Sequence, residues 1–117
     1  MELDTRLSFL GGSAVLSVRG EIDLATIPDL HNSLTRFVQG HLGQALIVDL
    51  DGVYACDDSG LGVLLGSAGR ARDGDGDIVV VCSDGHLRNR LSRTGFDRAV
   101  DVVSSIADAV AHTAAGR

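Results

Sequence analysis

The chain has 117 residues, of which 44% are hydrophobic, 22% charged and 3% aromatic, and its 10 basic against 16 acidic side chains leave a net charge of -6. This length and apolar content predict one domain, residues 1–117, with a sizeable core and no need of metal or disulfide staples, and they exclude a disordered chain. An acidic chain so poor in rings is a weak candidate for nucleic acid, because phosphates repel it and bases find little to stack on. No apolar run reaches the ~20 residues of a membrane span, and Met1-Glu2-Leu3-Asp4 has neither the basic nor the apolar stretch of a signal peptide. A cytoplasmic protein that avoids membranes is expected.

In chain order, Leu3 to Leu10 alternates weakly and meets Gly11-Gly12, a hairpin signal, with Ala14 to Gly20 as the partner strand. Leu24 to Val38 has helical spacing, with Ile27, Leu30, Leu34, Phe37 and Val38 on one face. Thr26 is the expected N-cap, Pro28 fits the first turn and Gly40 ends the helix. Ala45 to Leu50 is a short apolar run, read as a strand buried on both faces. Leu61, Leu64, Leu65 and Ala68 mark a second helix, opened by Asp58-Ser59 and closed near Asp73-Gly74. Ile78 to Cys82 is another buried strand. Asp84 caps a third helix carrying Leu87 and Leu91, which ends at Gly95. Ala99 to Val102 is a last strand, and Ser104 or Ser105 caps a final helix with Ile106, Ala109 and Val110. The predicted order is β-β-α-β-α-β-α-β-α. That is an α/β fold: a mixed, mostly parallel sheet of four to five strands, about four helices and an N-terminal β-hairpin.

The stretch from Tyr54 to Gly62 concentrates unusual chemistry between a buried strand and a helix. Asp57, Asp58 and Ser59 gather at a helix N-terminus, where orphan N–H groups and the positive dipole end favour negative charge. Two readings follow from the residues. Either Asp58 or Ser59 caps the helix while Asp57 fills the turn, or the helix start is a charge-sensitive switch of the kind phosphorylation operates. Gly60-x-Gly62-x-x-x-Gly66 is not a dinucleotide fingerprint, since it begins ten positions after Leu50 and two carboxylates would face the pyrophosphate. Asp73-x-Asp75-x-Asp77 has calcium-loop spacing, but Ile78 stands where that loop needs glycine, so a solvated turn is expected. His31, His41, His86 and His112 are dispersed without metal spacing. Ser59 lacks the Gly-x-Ser-x-Gly frame of a nucleophile elbow. Cys56 and Cys82 read as reduced, half-buried thiols, with a redox pair as the other possibility.

Three segments together resemble a sulphate-transporter and anti-sigma-factor-antagonist (STAS) domain: Gly20-Glu21-Ile22-Asp23, the run from Leu46 through Cys56-Asp57-Asp58-Ser59-Gly60-Leu61-Gly62 to Gly66, and Thr94-Gly95-Phe96. The resemblance covers essentially the whole chain and includes the element order. It implies a non-enzymatic regulator, without cofactor or metal, that binds an anti-sigma factor, itself a serine-protein kinase of ATPase fold, and so releases a sigma factor. The alternative is a scaffold of the same fold in a stress-signalling complex without direct sigma control. In the family, the partner phosphorylates a Ser two residues before the first Gly of the Ser/Thr-Gly-Leu-Gly run, and an acidic residue precedes it. That alignment puts Asp57 at the acidic position and Asp58 at the phosphoacceptor position, where no hydroxyl exists to phosphorylate. Loss of the usual switch is therefore expected, leaving either constitutive binding with a pocket adapted to Asp58 or a locked, phospho-like state that binds weakly, with Ser59 as the substitute acceptor if a switch operates. The partner-binding residues so implied are Glu21, Asp23, Asp57, Asp58, Ser59, Gly60 and Leu61, with Gly60 allowing close backbone approach.

Overall fold

The computed structural model describes residues 3–115. The hairpin forms as the glycines predict: β1 (Asp4–Leu10) and β2 (Ser13–Ile22) pair antiparallel, with Leu10 opposite Ser13. Gly11 and Gly12 hold φ of 57° and 81°, the pair of left-handed conformations that a two-residue turn between twisted strands requires. α1 (Ile27–Gln39), β3 (Ala45–Cys56), α2 (Asp58–Asp73), β4 (Asp77–Val81), α3 (Gly85–Arg93), α4 (Phe96–Ala99), β5 (Asp101–Val103) and α5 (Ile106–Ala115) follow.

β2 to β5 run parallel, and the sheet order β1-β2-β3-β4-β5 is the chain order. Each crossover therefore steps the same way, and right-handed connections then place every crossover helix on one face. Leu30, Leu34 and Phe37 of α1, Leu61, Leu64 and Ala68 of α2, Leu91 of α3 and Phe96 of α4 bury that face with Leu16, Val48 and Val80. On the opposite face α5 alone covers Val15, Ile47, Val79 and Val81, through Ala109, Ile106 and Val110. A buried hydroxyl pair, Ser13 Oγ and Thr113 Oγ1 at 3.0 Å, ties α5 to the start of β2. Because Ile47 and Val48 point to opposite faces and are both buried, β3 needs the continuous apolar run seen in its sequence.

Four features depart from the sequence reading. β2 runs two residues beyond Gly20, and β3 runs on from Leu50 to Cys56, because two register irregularities let both strands continue to the Ile22–Cys56 pair. α1 begins at Ile27, not Leu24: Leu24 keeps three-residue spacing from Ile27, but the carboxylate of Asp23 closes a turn there by accepting from the N–H groups of Ala25 and Thr26 at 2.9 and 3.1 Å. Thr26 stands at the cap position without capping, since its hydroxyl donates to the carbonyl of Glu21 at 2.8 Å. An additional single-turn helix, α4, follows Gly95, and it moves the last strand to Asp101–Val103. Asp84 caps α3 through the His86 N–H at 2.8 Å, and Ser105 accepts from the Asp108 N–H at 3.0 Å, both at predicted positions.

The exposed side of α2 carries glycine where nothing demands it. A Cβ at Gly62 or at Gly69 would have no atom within 4 Å. Gly62→Ala is expected to raise stability by about 0.5–1 kcal/mol through the helix-propensity gain, read as an upward shift of the denaturation midpoint with an unchanged slope.

Candidate functional site

The site is the start of α2, where it leaves the end of β3 beside the end of β2. The Asp57 N–H donates to the carbonyl of Ile22 at 3.1 Å, fastening the helix start to the β2 terminus. Asp57, and neither Asp58 nor Ser59, is the N-cap. Its Oδ1 accepts from the Gly60 N–H at 3.0 Å and from the Ser59 hydroxyl at 2.7 Å. The cap falls one residue early because β3 extends to Cys56, leaving Asp57 alone in extended conformation before the first turn. The Ser59 hydroxyl and then the Gly60 N–H hold the Asp57 carboxyl below the usual carboxylate range. The same carboxylate occupies an N–H that a bound phosphate would need, so the glycine run is no nucleotide cradle even though it follows the strand more closely than the sequence suggested.

Asp58 is the first residue of α2, and its carboxylate lies open to solvent. Arg90, reaching across from α3, donates from Nη2 to Asp58 Oδ1 at 2.5 Å. The Arg90 side chain is two-thirds covered, and its Nε is buried without an acceptor among the described residues. No local pattern marks this pair, whose members stand 32 residues apart on separate helices.

Gly60 and Leu61 are buried. A Cβ at Gly60 would run into Ile22 Cγ2 and lie 2.9 Å from Cys56 Sγ. The close approach that Gly60 permits is thus inward, between α2 and the strand ends, and not toward an outside partner as the sequence suggested. An open groove beside the helix start is lined by Asp58, Leu61, Gly62, Leu65, Thr94 and Phe96, among others. Glu21 and Asp23 stand half-buried next to the helix start, on the segment that the Ile22–Asp57 bond joins to it. Between them and the helix α1, Leu24 projects with 78% of its surface exposed, and Leu65 on α2 is also exposed. Sequence reasoning absorbed Leu24 into α1 and missed it as a surface feature, as it missed the groove.

The thiols have no access to chemistry here. Both cysteines are buried rather than half-buried. Burial, and then the charge of Asp57, pushes the Cys56 thiol up to about 12; burial, and then Asp51, pushes Cys82 up to about 11. Asp49 pairs with Val81, so Cys82 sits level with Leu50, and Cys56 lies six residues farther along β3, roughly 20 Å away. That separation removes the redox-pair alternative. Ser59 donates to Asp57, a carboxylate whose lowered pKa makes it a weak base, and no histidine hydrogen-bonds to Ser59 among the described residues. No cluster of metal-ligating side chains exists among the described residues; Asp77, from the aspartate-rich turn, pairs with Arg72 at 2.9 Å. Among the described residues, no helix is long and apolar enough to cross a membrane.

Among solved structures, an anti-sigma factor antagonist from Mycobacterium paratuberculosis is 27% identical, with TM-score 0.86 over 96% of this chain and 94% of that one. The Bacillus cell fate determinant SpoIIAA in its phosphorylated form shares the fold at 16% identity, with TM-score 0.66 over 93% of this chain and 98% of that one. So does a stretch of a murine solute carrier anion transporter, at 18% identity and TM-score 0.78, over 97% of this chain and 22% of the transporter. The family of STAS domains matches residues 5–109. That match spans most of the chain, which therefore belongs to the STAS domain family.

Proposed function

We propose that this STAS domain is a regulator of the anti-sigma-factor-antagonist type, which acts by docking and not by turnover. Its partner is an anti-sigma factor of the ATPase-fold serine kinase class, and docking is constitutive. The observation that carries this reading is the Asp58–Arg90 pair at 2.5 Å. Family resemblance puts the phosphoacceptor at position 58. A phosphate there adds a charge of about -1.5 to -2 and three strong acceptors, which disrupts an interface by repulsion and desolvation. Asp58 carries a single charge, and Arg90 answers it on the spot. The helix start therefore presents a compensated pair, closer to an unmodified serine than to a phosphoserine.

The docking surface centres on Asp57, Asp58 and Ser59, with Glu21 and Asp23 as its acidic rim. Leu24 and Leu65, both exposed, are the apolar anchors, and the bare backbone at Gly62 lets a partner approach α2 closely. Gly60 and Leu61 support the surface from within.

The test is phosphotransfer from ATP by the anti-sigma kinase of the same organism. Wild type is expected to bind the kinase and take no label, and Asp58→Ser to become labelled. Labelling of wild type that disappears in Ser59→Ala would overturn the constitutive reading. Absence of binding by wild type, with the kinase active on another substrate, would overturn the docking itself.

A further inference from the structure

β1 is an open sheet edge whose sequence is complementary to itself. Since Leu10 and Ser13 flank a two-residue turn, they form a hydrogen-bonded pair. Counting back along the register, Ser8, Arg6 and Asp4 also turn their main-chain groups toward β2, whereas Phe9, Leu7 and Thr5 turn theirs away. Sheet edges are ordinarily guarded by proline, by bulges or by brevity. β1 has seven residues, no proline and an unbroken register against β2, and it exposes Leu7 and Phe9 by 49% and 62%.

The stretch Leu3-Asp4-Thr5-Arg6-Leu7 has two-fold chemical symmetry about Thr5. Antiparallel pairing with a second copy about that residue sets Asp4 opposite Arg6 twice and Leu3 opposite Leu7 twice. Thr5 faces its own counterpart through outward N–H and C=O groups. Asp4 and Arg6 then fall at the non-hydrogen-bonded positions, where cross-strand side chains stand nearest. Within the protomer both are exposed, and neither has an ion-pair partner among the described residues. Leu3 already packs against the main core, so Leu3–Leu7 contacts would extend that core across the two-fold. The neighbouring register, centred on Leu7, sets Arg6 against Ser8 and Asp4 against Leu10, and forfeits both ion pairs.

We propose that β1 is a homodimerisation edge: two copies of this chain pair antiparallel about Thr5 and join their five-stranded sheets into one.

Sedimentation of the full chain at physiological salt, from about 10 μM to about 1 mM, tests this. The mass is expected to rise from 12.2 kDa toward twice that value. Arg6→Asp sets acid against acid and is expected to weaken association by at least about tenfold. The charge swap Asp4→Arg with Arg6→Asp restores the complementarity, and with it the dimer. Thr5→Pro removes an N–H that β2 does not use; it is expected to stay folded by circular dichroism and monomeric by mass. A wild type that remains monomeric throughout, or a dimer that survives both Arg6→Asp and Thr5→Pro, would overturn the proposal. So would a folded charge-swap variant that stays monomeric.

Discussion

Phe96→Ala is expected to cost about 3–5 kcal/mol, the largest loss from any single truncation near the site. Phe96 heads the fully buried large side chains, and it is the only buried residue of the four-residue α4. One turn of helix cannot sustain itself, so the ring in its slot against α2 is what holds α4 in place. Without it the cavity is only partly refilled. The carbonyl of Ala99, which takes a 2.5 Å bond from Arg72, loses its fixed position, and the groove beside Asp58 loses one wall. Denaturant titration should show a lower midpoint at unchanged slope, with Tm down by roughly 10–20 °C. Phe96→Leu, which keeps most of the volume, should lose only about 1 kcal/mol. Equal losses for the two variants would mean that ring packing is not what anchors α4.

Gly60→Ala is the second. In an open helix this change stabilises, as expected two residues away at Gly62. At Gly60 the added methyl meets Ile22 and Cys56, both buried at strand ends that cannot withdraw. The helix start must tilt outward instead, at a net cost of about 1–3 kcal/mol, and it carries Asp57 away from the Ile22 carbonyl. Opposite signs for the same substitution at neighbouring glycines on one helix are the diagnostic result. The measurement is a pair of denaturation curves, one for each variant, set against wild type. If Gly60→Ala proved as stabilising as Gly62→Ala, the α2 start would not be wedged against β2 and β3.

The arrangement of strands and helices was legible because periodicity, turn glycines and apolar runs are local signals. Ile47-Val48 shows burial on two sides, Gly11-Gly12 shows the hairpin, and Asp84 shows the cap of α3. What escaped was decided between segments. The lengths of β2 and β3 depend on each other's register, which no single run encodes. Leu24 matched the α1 spacing, and only the competing bonds of the Asp23 carboxylate keep it out of the helix. The cap of α2 was misplaced by one residue as a direct result of ending β3 too early. Arg90 was invisible because its meaning lies in the distance to Asp58, which the packing of α3 against the core sets. The acidic cluster itself was found from sequence, because carboxylates at a helix start are a local pattern; the pairing of one member, Asp58, with Arg90 is a tertiary fact.

Strand succession in space that repeats strand succession along the polypeptide has a consequence for biogenesis. Each new strand emerging from a ribosome can add beside one that is already in place, and none must be inserted later between two others. Only α5 must reach back, to meet Ser13 through Thr113. Closure of that contact is what covers the second face of the sheet.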